Sequence, residues 1–147
     1  MMGLRVQRRR AIDLDRDFLE EVHVAALGPV ALVGYGWPAE RLRAQFHAEV
    51  DLVNCQVIVV DGRRIGYVSV IDRGRYWYID AFAIATNFQK RGIGQAVLRD
   101  VLDDAGRIPV RLSVLRTNRA RSLYRRMGFR VIGGDRDREL MEWRAQP

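Results

Sequence analysis

Apolar side chains recur along this chain with two different periods, and the switches between them mark its elements. From Gly3 to Arg9, Leu4 and Val6 alternate with polar residues, the period-two spacing of a short strand. From Asp13 to Ala26 the apolar positions Leu14, Phe18, Leu19, Val22 and Ala25 fall near helical spacing, with Asp13 placed as an N-cap. Gly34 and Gly36 then predict a loop. Pro38 suits the first turn of a second helix, which runs to about Val50 with Leu42, Phe46 and Val50 every four residues.

Beyond Val50 the period shortens. Cys55 to Val60 is a compact apolar run, Asp61-Gly62 is a tight-turn signal, and Arg64 to Ile71 follows, which predicts a β-hairpin. Gly74 marks another turn before a long aromatic-rich strand from Tyr76 to Ala85. After the stretch QKRGIG, the positions Ile93, Val97, Leu98, Val101 and Leu102 predict an amphipathic helix. Pro109 to Leu115 reads as a strand, and Asn118 to Met127 as a short helix closed by Gly128. Phe129 to Ile132 and Arg138 to Trp143 read as a final antiparallel pair. The order βααβββαβαββ predicts a mixed α/β fold, one sheet with helices on both faces. No repeat or Pro/Gly-rich linker interrupts it, so residues 1–147 are read as one domain.

Composition narrows this little. The single cysteine, Cys55, excludes an intrachain disulfide and agrees with a reducing cytoplasm. No apolar run is expected to approach the ~20 residues of a membrane helix, and the basic N-terminus lacks the apolar stretch of a secretory signal. The expectation is a cytoplasmic monomer or homodimer, with no membrane partner. Charge changes the picture more. The net charge is +7, and Lys90 is the only lysine among the basic side chains. Guanidinium groups hold phosphates bidentately, so a phosphate-bearing ligand or nucleic acid is one reading; a solvated basic surface is the other.

The most informative segment joins the long strand to the amphipathic helix through Gln89-Lys-Arg-Gly92-Ile-Gly94. A helix begins with unpaired backbone N–H groups carrying partial positive charge. Glycine there lets an anion approach those donors closely, and Lys90 and Arg91 add charge beside it. A turn that merely joins strand to helix is the alternative. The segment is neither a Walker A loop nor a GxGxxG fingerprint, because position 97 is valine.

These residues resemble the GNAT superfamily of N-acetyltransferases. Gln89 to Gly94 matches its Q/R-x-x-G-x-G/A pyrophosphate loop, and Asp80-Ala-Phe-Ala-Ile84 resembles its fourth strand. Leu112-Ser-Val114, Asn118, Ala120, Leu123-Tyr124 and Gly128-Phe129 resemble its fifth strand and the following helix. The resemblance spans Leu4 to Trp143. It implies a mainly antiparallel sheet of six to seven strands and acetyl-CoA as cosubstrate. It further implies pantetheine pairing along the backbone of Phe82, Ala83 and Ile84, and a pyrophosphate on N–H groups from Lys90 through Arg91, Gly92, Ile93, Gly94 and Gln95 to Ala96. Asn118 would hydrogen-bond the cofactor, and Tyr124 would protonate the departing thiolate.

The chemistry is consistent with those roles. Attack of an amine on a thioester needs a neutral amine, a polarised carbonyl and a proton for sulfur. Tyrosine, with a pKa of about 10, can serve a thiol of about 8.5, although on helical spacing alone Tyr124 also reads as a core aromatic. For the base, Asp80 stands among Tyr78 and Phe82 if the strand alternates regularly; a surface aspartate at a sheet edge is the equal alternative. Glu49, His47 and His23 are weaker candidates, and His23 reads as structural. No Cys/His cluster has metal-ligand spacing, so no metal is expected.

Acceptor contacts are expected from Leu32 to Trp37, with Tyr35 and Trp37 lining a pocket or, for Trp37, stapling the next helix to the core. The acceptor is a small-molecule or protein amine. A non-catalytic acyl-CoA-binding or sensing module is the alternative function. Nucleic-acid binding ranks last, since the arginines are spread through every element.

Overall fold

A computed structural model describes residues 5–147. Seven strands form one sheet in the order β1-β2-β3-β4-β5-β7-β6. They are β1 (Val6–Arg10), β2 (Cys55–Val60), β3 (Arg63–Asp72), β4 (Trp77–Ile84), β5 (Val110–Leu115), β6 (Arg130–Gly134) and β7 (Arg138–Trp143). The helices are α1 (Arg16–Tyr35), α2 (Ala39–Glu49), α3 (Ile93–Ala105) and α4 (Ala120–Arg126). Their order is the one the hydrophobic pattern predicts; of the first predicted strand, Gly3 and Leu4 lie outside the described residues.

Two cores sandwich the sheet. On one face Leu19 and Val22 of α1 and Phe46 of α2 pack on Val57, Tyr67, Ala81 and Ala83. On the other, the apolar stripe of α3 packs with Tyr124 and Phe129 on Ile58, Val68, Ile79, Leu112 and Met141. The β2–β3 hairpin closes through Asp61 and Gly62, both with positive φ (50° and 78°), the geometry that a two-residue Asp-Gly turn supplies.

Every neighbouring strand pair is antiparallel except β4–β5, which is parallel and joined at only three positions, Trp77↔Val110, Tyr78↔Arg111 and Ile79↔Leu112. By contrast β3 follows β4 as far as Gly66↔Ile84, and β7 follows β5 along its whole length. The sheet therefore splays beyond Ile79. Residues 80–84 of β4 present a strand edge that β5 does not cover.

Helix α1 departs from the sequence reading. It continues through Gly28, Pro29 and Gly34 to Tyr35, where Gly36 closes it in the left-handed region (φ 71°) by donating to Leu32 O at 2.8 Å. Pro29 removes one helical N–H, yet apolar residues on either side hold the helix against the sheet. Its N-terminal cap also differs: Asp13 opens a short 3-10 turn, and Asp15 accepts the Ile12 N–H at 2.9 Å. Buried Asp15 further binds Arg9 at 2.8 Å and Arg64 at 3.2 Å, and these contacts, led by Arg9, hold its carboxyl well below the usual range. The longer helix changes the membrane expectation as well. Segment 13–35 is long and apolar enough, by length and composition, to cross a bilayer. In this fold it lies against α2 and β4 instead.

Candidate active site

Two cavities meet where the sheet splays. The larger, of about 950 Å³, runs between α1 and the start of α3. Its floor is Phe82, Ala83 and Ile84 of β4, and its far end holds Gln89, Lys90, Gly92, Gly94 and Gln95. The smaller, of about 120 Å³, lies deeper, on the α1/α2 face. Phe82, Asn118, Tyr124, Leu27 and Val30 line both, so these residues form the passage between them.

Gly92 is the N-cap of α3 and adopts φ 79°, a conformation in which side-chain-bearing residues are strained. The Ala96 N–H is already bound to Gly92 O at 3.0 Å, which corrects the expectation that donors extend to Ala96. Helix geometry leaves the N–H groups of Ile93, Gly94 and Gln95 as the unpaired set. The Ile93 side chain is buried in the core. Arg91 turns away, its guanidinium 5.3 Å from the centre of the Phe88 ring, and does not line the groove. Gln89 is a brace: its Nε2 donates to Ile84 O at 2.8 Å, tying the loop to the end of β4. Asn118 Oδ1 accepts from Ala120 N at 2.9 Å, holding the start of α4 against the passage.

Sequence reasoning missed Arg119 and Arg126, which face the groove from α4 and its preceding residue, and Thr86 and Thr117 on its walls. It also missed that α1 supplies one wall through Ala25, Ala26, Pro29 and Val33. The arginines were hidden among so many others. The wall was hidden because the helix was read as ending at Ala26.

Tyr124 stands at the passage against Phe129, ring centres 5.8 Å apart. Burial pushes its hydroxyl up to about 12, so it stays protonated throughout the neutral range. Asp80 sits at a bulge, because Ser69 pairs Ala81 while Val70 pairs Ile79. The bulge breaks the regular alternation expected for β4. Ile79 and Phe82 pack toward α3 while Ala81 packs toward α1 and α2, and Asp80 opens on the α1 side into the inner cavity. Its Oδ1 is buried without a hydrogen-bond partner, and burial raises its pKa above the ordinary carboxylate value. Tyr35 and Trp37 also line that cavity, stacked 5.0 Å apart, with Arg41 4.2 Å from the centre of the Trp37 ring.

The other base candidates are occupied elsewhere. His47 pairs with Glu20, and Glu49 accepts from Gln45 Nε2 at 3.1 Å. That bond directs Gln45 Oε1 toward His23 Nε2 at 3.3 Å, so Nδ1 accepts the Tyr67 hydroxyl at 2.7 Å. His23 is thus a neutral, satisfied core histidine whose pKa burial lowers. Cys55 is buried, its thiol pushed up to about 11, and it offers no reactive thiolate. Among the described residues no group of three or more His, Cys, Asp and Glu could hold a metal ion.

The sheet thus splays beside a glycine-opened helix, and a long groove leads from there to an inner cavity lined by Asp80 and Arg138. Residues 52–131, more than half of the chain, match the family model described as the acetyltransferase (GNAT) domain, and the chain belongs to that family. Solved structures share the fold. A GNAT-family acetyltransferase from Streptococcus agalactiae superposes with a TM-score of 0.79 at 18% identity, covering 97% of this chain and 96% of that one. The PaiA N-acetyltransferase of Thermoplasma acidophilum, solved in complex with coenzyme A, gives 0.75 at 18% identity over 96% and 99%. A protein from Corynebacterium glutamicum described as histone acetyltransferase HPA2 and related acetyltransferase gives 0.69 at 24% identity over 99% of both chains. A comparison with curated proteins finds no significant match.

Proposed function

We propose that this acetyltransferase transfers the acetyl group of acetyl-CoA to an amine by direct attack. The observation that supports this reading best is the junction of the two cavities at Tyr124, with Asp80 in the inner one. The groove has the features the coenzyme needs: an uncovered β4 edge for the pantetheine amides, helix N–H donors opened by Gly92 for the pyrophosphate, and Lys90, Arg119 and Arg126 as cations along it. PaiA, a structural neighbour, was solved with coenzyme A.

In the step we infer, the amine nitrogen bonds to the thioester carbonyl carbon. The carbon–sulfur bond breaks and its electron pair leaves on sulfur. The proton released by nitrogen passes to Asp80, directly or through water, and the Tyr124 hydroxyl supplies the hydrogen that sulfur takes up. Burial that raises Tyr124 raises a thiolate beside it in the same way, so donor and acceptor stay within reach of one another. A binding or sensing module would use the groove alone; a carboxylate oxygen buried without a partner beyond Tyr124 gives it no advantage and costs stability.

The test is the pH profile of acetyl-CoA-dependent thiol release with amine acceptors. A base works deprotonated, so wild-type kcat/KM falls as pH drops through the raised pKa of Asp80. Asp80→Asn removes that limb, so its deficit is largest above that pKa, where the wild-type carboxylate is ionised, and shrinks as pH falls through it. A variant with the wild-type profile assigns the base elsewhere, and absence of thiol release with every amine removes the transferase reading.

A further inference from the structure

The inner cavity carries two opposite charges that do not pair with each other. Asp80 is one, its Oδ1 unpartnered. Arg138, the first residue of β7, is the other. Its Nε donates to Tyr35 Oη at 2.8 Å, its guanidinium carbon lies 5.7 Å from the centre of the Tyr35 ring, and its backbone N–H donates to Asp135 Oδ1 at 2.9 Å. Those contacts fix Arg138 at the cavity; Asp135 feels its charge but does not pair with the guanidinium.

Its neighbours behave differently. Arg116, Arg121 and Arg125 are held by Glu139, and Arg111 and Arg144 by Glu142. Among the described residues Arg138 has no carboxylate partner, although it stands on the same strand as both glutamates. The Tyr78 hydroxyl, on β4 two residues before Asp80, feels both Arg138 and Asp80.

A half-buried guanidinium and a carboxylate with one buried oxygen, held apart in one small cavity, are each stabilised by a ligand group of opposite sign. A plain amine satisfies only Asp80 and strips water from Arg138. A polyamine sets a second cation against Arg138. An amine that carries its own carboxylate satisfies both ends. We propose that the acceptor is a small amino-carboxylic acid, its carboxylate held by Arg138 and its nitrogen placed between Asp80 and the passage at Tyr124. Arg138 is then a specificity-determining residue and Tyr35 a positioning residue. This rests on the amine-acetylating reading above.

The experiment measures thiol release from acetyl-CoA with matched acceptor pairs that differ only in the carboxylate, such as phenylalanine against phenethylamine and leucine against isopentylamine. At least one acid is expected to exceed its decarboxylated partner in kcat/KM by ~30-fold or more, the scale of a charge-assisted bidentate contact. Arg138→Gln should bring that ratio near one, and Tyr35→Phe, which keeps the packing, should lower it several-fold. Amines accepted as well as or better than their acids overturn the inference while leaving the transferase reading intact. So does a ratio unchanged in both variants. Thiol release with neither series overturns it too, and a broad panel of polyamines and peptide amines then decides whether the transferase reading survives.

Discussion

Tyr124→Phe is expected to lower kcat about 10²-fold while leaving the KM for acetyl-CoA within a small factor of wild type. The hydroxyl stands at the passage between the cavities, and burial alone sets its pKa of about 12, with no hydrogen bond to offset it. Among the described residues no hydrogen bond uses that hydroxyl, so its removal keeps the ring's contact with Phe129 and should leave the melting temperature unchanged or slightly raised. A group that must be protonated and titrates near 12 imposes no alkaline fall in rate below about pH 11. Steady-state rates and a thermal melt of the same preparation check both halves. A full-rate Phe variant gives the proton to water or another group.

The second large effect falls on the fold that shapes the groove. A Cβ at Gly66 would overlap the carbonyl oxygen of Ala83 and lie 3.0 Å from Cα of Ile84. Both neighbours are backbone, so no side chain can swing aside. Gly66→Ala must push β3 from β4 at the end of the uncovered edge, where Gln89 also anchors the glycine loop. The expected cost is about 2–3 kcal/mol, the upper range of overpacking, which lowers the melting temperature by roughly 5–10 °C and weakens coenzyme binding together with stability. Gly94 gives the contrast: a Cβ there meets the Ile84 side chain at 3.4 Å, an ordinary contact, so Gly94→Ala should melt as wild type. Equal melting temperatures for the Gly66 and Gly94 variants would remove the requirement for a close β3–β4 approach.

What the sequence revealed was local. The Asp61-Gly62 hairpin, the stripe of α3 and the Gln89–Gly94 loop each rest on signals a few residues apart, and each stands where expected. The length of α1 was not legible, because Gly28, Pro29 and Gly34 are helix breakers by propensity and only packing on the sheet overrides them. Asp80 was placed on β4, but the bulge that turns it toward α1 depends on pairing with β3, which no local pattern encodes. The inner cavity was least visible. Its charged and aromatic walls come from α1, β4 and β7, and Arg138 looks like any other arginine until Tyr35 is seen to hold it.

Calorimetric titration of the purified chain with acetyl-CoA tests most directly whether the groove is a coenzyme site, with Gly92→Val as control. A Cβ at Gly92 would meet no heavy atom within 4 Å, so the cost of valine to folding is chiefly the strain of a side chain at φ 79°, about 1–2 kcal/mol. Its bulk, by contrast, stands at the start of the helix whose first N–H groups are unpaired. The expected result is saturable binding by the wild type and a loss of at least tenfold in affinity in a folded Gly92→Val protein. Absence of binding by the wild type at high micromolar coenzyme, or equal affinity in both proteins, would contradict the assignment of this groove to acetyl-CoA.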